Sequence, residues 1–106
     1  MNTIIYCASW EKGEEQFDIL MKQLKEKASI DLNIVKRKRG SSATDIEGNS
    51  WKVVYAYDNA RGYKWHTCYV DEEISLRVFN TIIKPSEAPA CFWVGDYNTE
   101  RSVYYF

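Results

Sequence analysis

The chain has 106 residues, of which 45% are hydrophobic and 27% charged, and its net charge is -1. This length fits one domain, and the composition is typical of a folded globule and not of a disordered segment. The balanced charge gives no overall field that would attract the chain to DNA or to a membrane. Its apolar runs are far shorter than the roughly 20 residues of a transmembrane helix, so we expect no membrane partner, and we also expect no signal peptide.

The first half of the chain predicts three strands and a long helix. Residues 3–8 form an apolar run that is typical of a central strand. Apolar residues then recur at the spacing of one helix face, and they are Phe17, Leu20, Met21, Leu24 and Ala28. Short strands are predicted at residues 32–35 and 51–57, the second behind a turn at residues 47–50.

The second half adds a loop, a strand, a helix and a closing hairpin. Residues 58–65 are predicted as the loop, and residues 67–70 as a strand that ends at the acidic triplet 71–73. Residues 74–83 have helical spacing, and Pro85 is expected to stop that helix. Residues 90–94 and 102–106 are predicted to pair around a turn at 95–98. The order β-α-β-β-β-α-β-β predicts an α/β fold with a single mixed sheet and two helices, with α+β as the alternative.

The three cysteines, Cys7, Cys68 and Cys91, lie in apolar settings and have no C-x-x-C spacing. They therefore predict reduced, partly buried side chains of a cytosolic protein instead of a disulfide framework or a zinc site. His66 precedes Cys68 by two residues, so in a strand both face the same side. A thiol–imidazole dyad is the alternative, although nothing else in the sequence supports it.

Residues 48–85 contain an Ala60-Arg61-Gly62 loop followed by an apolar strand that ends in Asp71-Glu72. This stretch resembles the middle of the P-loop ATPase core of phage terminase large subunits and related helicase-like motors. The resemblance implies that Asp71 holds Mg²⁺ as the Walker B aspartate and that Glu72 orients a water molecule. It makes Asp71, Glu72 and Arg61 the candidate catalytic residues, and Asp71 the candidate metal ligand.

A working motor of this kind also needs the GxxxxGK[ST] loop that cradles phosphates, and the sequence has no such segment. We therefore expect a non-catalytic protein without a cofactor. In that case Asp71 is a structural cap at the start of the following helix. The competing hypothesis is an enzyme, namely a Mg²⁺-dependent nucleotide hydrolase or nuclease that uses Asp71 and Glu72 and is completed by a partner chain.

Four consecutive cations, Lys36, Arg37, Lys38 and Arg39, stand beside Gly40. Such a run suits phosphate binding, and Trp51, Tyr55 and Tyr57 are aromatic residues that stack on bases in nucleic-acid-binding proteins. The predicted nucleic-acid contacts are therefore Lys36, Arg37, Lys38, Arg39 and Trp51. The alternative is a solvated strand end with no ligand.

Together these features predict a small binding protein of a phage or mobile element, located in the cytoplasm of the bacterial host. Its expected partner is nucleic acid or a nucleic-acid-handling protein. Because small phage proteins often inhibit such machinery, an inhibitor of host or defence functions is one expectation. Another is a homodimer through the aromatic C-terminal strand at residues 102–106.

Overall fold

The computed structural model describes residues 1–57, 62–88 and 102–106. Six strands form one mixed sheet, and they are β1 (Asn2–Cys7), β2 (Asn33–Val35), β3 (Ser42–Thr44), β4 (Ser50–Tyr55), β5 (Thr67–Val70) and β6 (Ser102–Tyr105). Their order across the sheet is β2-β3-β4-β1-β5-β6. The predicted α/β class, with one mixed sheet and two helices, is confirmed.

The four strands β4, β1, β5 and β6 run parallel to one another. Their carboxyl ends therefore meet at one edge of the sheet, which we call the carboxyl edge. The pairs β2–β3 and β3–β4 are antiparallel. In α/β sheets, ligands usually bind outside the carboxyl ends of the parallel strands.

The turn between β2 and β3 also lies at the carboxyl edge. Ser42 pairs with Lys52 whereas Thr44 pairs with Ser50, so β3 runs backwards along β4. The backbone N–H of Val53 donates to the carbonyl oxygen of Ser41 at 3.0 Å, which extends this pairing toward the end of β4. We call residues 36–41 the basic turn.

The sheet separates two hydrophobic clusters, because successive strand residues point to opposite faces. Helix α1 (Trp10–Ala28) covers one face. The buried residues on that side are Ile5, Cys7, Phe17, Leu20, Met21, Ala43, Trp51 and Val53. A second helical segment and the loop before β5 cover the other face, where the buried residues are Ile4, Tyr6, Val54, Ala56, Trp65, Cys68, Val70, Ile74 and Ile83.

The second helical segment differs from the predicted helix at both ends. It begins with α2 (Leu76–Val78), where the Ser75 hydroxyl accepts a hydrogen bond from the backbone N–H of Val78 at 3.2 Å. It continues as a π-helical turn (Phe79–Ile83) and a 3-10 turn (Lys84–Ser86). Pro85 does not stop the segment, because it lies in the first turn of the 3-10 helix, where its missing N–H breaks no hydrogen bond.

Two strands at the edges of the predicted pattern need comment. Strand β3 was not predicted, because only its central residue, Ala43, is buried and three residues give no periodic signal. Strand β6 pairs in parallel with β5, and the partner strand of the predicted closing hairpin, residues 90–94, lies outside the described residues. Neither helix in the described part of the chain is long and apolar enough to cross a bilayer.

Helix α1 lies directly on β1 and β4 at Gly13. A Cβ atom at this position would stand 2.6 Å from both Cβ and Sγ of Cys7 and 3.0 Å from Cγ1 of Val53. Real side chains do not approach so closely, so only glycine allows this contact. The first two turns of α1 are thereby held against the carboxyl edge.

We expect Gly13→Ala to destabilise the protein by about 1–2 kcal/mol, because overpacking outweighs the roughly 1 kcal/mol that alanine normally gains over glycine inside a helix. Urea unfolding followed by circular dichroism measures the difference. Glu15→Ala, at an exposed position of the same helix, is the control and should change the free energy of unfolding by less than about 0.5 kcal/mol. A Gly13→Ala protein more stable than the wild type would contradict the close packing.

Candidate functional site

Asp71 follows β5 at the carboxyl edge, and its side chain is fully buried. Its Oδ1 accepts hydrogen bonds from Lys12 Nζ at 2.8 Å and from the backbone N–H of Glu73 at 3.0 Å. Its Oδ2 accepts from the backbone N–H of Ala8 at 3.0 Å. The carboxylate thus joins the end of β5 to the connection between β1 and α1.

The ion pair between Lys12 and Asp71 determines the charge of this site. Burial raises the pKa of Asp71, but the hydrogen bonds from Lys12 and from two backbone N–H groups lower it by more, so the pKa lies below its ordinary value. The hydrogen bond to Asp71 also raises the pKa of Lys12. Both groups are therefore charged at neutral pH.

The arrangement around Asp71 does not fit the Mg²⁺ role that the sequence resemblance implies. The ammonium group of Lys12 lies on the carboxylate, and backbone N–H groups bind both of its oxygens. Only Ala8 and Ser9 connect β1 to α1, which is too short for the phosphate-binding loop of a motor. No group of three or more His, Cys, Asp or Glu residues that could hold a metal ion is found in residues 1–57, 62–88 and 102–106.

The other residues of the acidic candidate site are not gathered around Asp71. The side chain of Glu72 is exposed, and its backbone N–H donates to the carbonyl oxygen of Phe106 at 2.7 Å. Arg61 lies outside the described residues. The expected helix cap also moves, because Asp71 stabilises the turn at residues 71–74 and Ser75 caps the helix.

One of the four cations of the basic turn is paired with carboxylates, and the other three are exposed to solvent. Lys36 Nζ lies 3.1 Å from a carboxylate oxygen of Glu14 and 3.0 Å from one of Asp18. The side chains of Arg37, Lys38 and Arg39 are exposed and form no ion pair with another described residue. Three consecutive positive charges therefore face solvent at the carboxyl edge.

Glu14 fixes the basic turn to helix α1. Its carboxylate is buried and accepts hydrogen bonds from the backbone N–H groups of Gly40 and Ser41, each at 3.2 Å, and from the Ser41 hydroxyl. The Ser41 hydroxyl also accepts from the backbone N–H of Arg37 at 2.8 Å. Gly40 adopts a φ of 85°, which favours glycine. The turn is therefore preorganised.

Sequence reasoning assigned Glu14 no role in the site. A signal was nevertheless present, since Glu14 stands between Gly13 and Phe17 on the face of α1 that is otherwise small or apolar. A carboxylate in such a position is buried when the helix packs, and a buried charge requires donors. Its donors come from residues more than 20 positions away, which the sequence pattern does not indicate.

Three aromatic residues, Trp10, Tyr55 and Tyr57, form what we call the aromatic cluster. The rings of Trp10 and Tyr55 stack with centroids 5.7 Å apart and an angle of 24° between their planes. Tyr57 meets Tyr55 edge-on at 5.6 Å, and 47% of Tyr57 is exposed. Trp10 and Glu14, which binds the basic turn, are four residues apart and so lie on the same face of α1.

Trp51, predicted as a nucleic-acid contact, is placed in the core. Only 9% of this residue is exposed, and it packs among the buried residues under α1. Its ring is thus not presented at the surface. The other two aromatic residues that the sequence suggested for stacking, Tyr55 and Tyr57, do lie at the carboxyl edge. Trp10, which the sequence did not suggest, stacks on Tyr55.

The structure gives no support to a thiol–imidazole dyad. Cys68 is fully buried, and burial raises the pKa of its thiol to about 12, so the reactive thiolate is scarce at neutral pH. His66 Nδ1 accepts a hydrogen bond from the backbone N–H of Asn2 at 3.0 Å. Cys7 is also a buried free thiol, whereas Cys91 lies outside the described residues.

Comparison with solved structures identifies a similar fold in the ATPase domain of the large terminase of Thermus phage P74-26. The TM-score is 0.62 at 12% identity, and the match covers 98% of this chain and 46% of that chain. A point variant of the same domain gives a TM-score of 0.57 at 11% identity, with the same coverage. The resemblance thus extends over nearly the whole chain and not only over residues 48–85.

This chain spans 46% of the length of those terminase chains, and at such low identity the similarity shows the fold alone. No protein-family model and no curated protein matches the sequence.

We expect Asp71→Asn to lower the free energy of unfolding by about 2 kcal/mol at pH 7, because it breaks a buried, multiply hydrogen-bonded ion pair. Urea unfolding measures the loss. Glu72→Gln is the matched control, since it removes the same charge from the adjacent, exposed position and should cost little. Equal losses in the two variants would contradict the structural role of Asp71.

The stability difference between wild type and Asp71→Asn should depend on pH. Because the folded-state pKa of Asp71 is lowered, its contribution is complete above the unfolded-state pKa and is lost as pH falls through the folded-state value. The free energies of unfolding of the two proteins should therefore differ by a constant amount from about pH 5 to pH 8. This difference should shrink as the pH falls below about 4. A difference that stays constant down to about pH 2.5 would show that Asp71 stabilises the fold without its charge.

Proposed function

We propose that this chain is a non-catalytic binding protein with a terminase-like fold, and that it binds nucleic acid at the carboxyl edge. The observation that carries the proposal is the basic turn, in which Arg37, Lys38 and Arg39 are exposed on a backbone fixed by the buried carboxylate of Glu14. Phosphate groups are ligands to which clusters of Arg and Lys are well suited.

Preorganisation strengthens this argument. The backbone of a flexible run of cations loses conformational entropy when the run binds phosphates, whereas the backbone of this turn is already ordered by its hydrogen bonds to Glu14. The net charge of -1 does not oppose the proposal, because phosphate contacts depend on local charge and on the release of counterions.

The non-catalytic part of the proposal rests on Asp71. An enzyme of the competing class would need this carboxylate to bind Mg²⁺, yet Lys12 and two backbone N–H groups bind it. We expect no Mg²⁺-dependent hydrolysis of ATP and no cleavage of DNA. Turnover that Asp71→Asn abolishes in a folded protein would favour the nucleotide hydrolase or nuclease instead.

A phage or mobile-element origin, a place in the bacterial cytoplasm and a role against host or defence machinery belong to the same proposal. The similarity of fold to a phage terminase domain supports the origin. If the protein binds no nucleic acid, a nucleic-acid-handling protein becomes the expected partner. Homodimerisation through β6, where Tyr104 and Tyr105 are exposed, is a separate hypothesis that the mass in solution tests.

We expect the triple variant Arg37→Ala, Lys38→Ala and Arg39→Ala to bind a fluorescent single-stranded DNA about tenfold or more weakly than the wild type. Fluorescence anisotropy over a series of salt concentrations measures this. Because the variant no longer neutralises the phosphates that these three cations bind, the slope of log K against log salt should flatten by about 2.

The control is Lys22→Ala, Lys25→Ala and Lys27→Ala, which removes three exposed charges from the opposite end of α1. Both triple variants have the same net charge, so only the position of the cations differs. Equal losses in the two would indicate general attraction without a site. The absence of binding by the wild type would refute the proposed binding of nucleic acid.

A further inference from the structure

We propose that the nucleic acid is single stranded and that its unpaired bases stack on the aromatic cluster, an inference that rests on the proposed function. The basic turn and the aromatic cluster both lie at the carboxyl edge. The first provides positive charge for the phosphate backbone, and the second provides rings for bases. This pairing of a cationic track with aromatic side chains is how proteins bind single strands.

Helix α1 holds the two parts of this surface together. Trp10 begins the helix and stacks on Tyr55, and one turn later Glu14 binds the backbone of Gly40 and Ser41. Residues four apart on a helix are neighbours, with about 5–6 Å between their Cβ atoms. The rings and the backbone of the basic turn therefore contact neighbouring positions on one face of α1.

Strand β4 gives the same result independently. The basic turn is joined to this strand at Val53 by the hydrogen bond from the Val53 N–H to the Ser41 carbonyl oxygen. Tyr55 is two residues further along and points to the same face, at a distance of about 7 Å along the strand. Tyr55 thus lies about two residues along β4 from the point where the basic turn is joined to this strand.

The arrangement of the three rings in the aromatic cluster also suits stacking on bases. Trp10 and Tyr55 are half-buried and support each other, whereas Tyr57 is the outermost ring and is 47% exposed. A ring that is already held in place loses little freedom when a base stacks on it. A duplex does not use such rings, because its bases are stacked on each other and paired.

The experiment compares three fluorescent probes of equal length by anisotropy: dT20, a 20-nucleotide single strand of abasic sites, and a 20-base-pair duplex. The abasic strand has the phosphates of dT20 without the bases. We expect the wild type to bind dT20 about tenfold more tightly than the abasic strand, since base–aromatic stacking contributes a factor of this order for each base. The duplex should bind more weakly than dT20, because its paired bases are not free to stack on the rings.

Variants at Tyr57 assign the difference to the aromatic cluster. Tyr57→Ala should weaken binding of dT20 about tenfold and leave the abasic strand unchanged, whereas Tyr57→Phe should restore most of the loss. Tyr105→Ala is the matched control, because Tyr105 is 63% exposed on β6, three strands away from β4. It should bind all three probes like the wild type.

The outcomes separate this inference from the proposed function. Three results would overturn the stacking inference: equal affinity for dT20 and the abasic strand, tighter binding of the duplex than of dT20, or no effect of Tyr57→Ala. The proposed function would still stand if binding depends on Arg37, Lys38 and Arg39. If the wild type binds none of the probes, both proposals fail.

Discussion

The contact between Gly13 and Cys7 is the constraint on which the rest of the carboxyl edge depends. It brings the first two turns of α1 directly onto the sheet, and the residues on either side of Gly13 then point to opposite ends of that edge. Lys12 reaches Asp71 beyond β5, and Glu14 reaches Ser41 beside β4. A helix displaced by the width of one methyl group would strain both contacts. The acidic and basic ends of the edge are therefore coupled through one glycine.

The chain has a fold similar to that of a terminase ATPase domain, and ion pairs fix several of the charges at its carboxyl edge. The strand that ends in Asp71-Glu72 is present, but Lys12 neutralises the first carboxylate and the second faces solvent. Lys36 is similarly neutralised by ion pairs with Glu14 and Asp18. The exposed charges outside these ion pairs are separated along the edge: the cations lie in the turn between β2 and β3, and the carboxylates follow β5. A net charge near zero hides this separation.

The long helix, the central strand and the strand before Asp71 were predictable, because each repeats a clear apolar pattern over its own residues. Strand β3 was not, since its formation depends on pairing with β4 and not on its own side chains. The same distinction applies to the site. The basic run and the Asp-Glu pair are visible in the sequence, but the partners that decide their roles, Glu14 and Lys12, lie 22 or more positions away. Trp51 and Trp10 show the limit most clearly, because composition does not indicate which ring is covered by a helix.

The order of strands also determines when this sheet can assemble. Its central strand, β1, is made first, but its neighbours come from far along the chain: Ser50 and His66, which contact Asn2, are 48 and 64 positions away. Closing such long loops before any sheet contact is gained slows folding. On the ribosome, β1 has neither of its partner strands until β4 has emerged, so its apolar residues are exposed to other chains during synthesis. Helix α1, which needs only local contacts to form, follows β1 immediately and is the first element able to shield one of its faces.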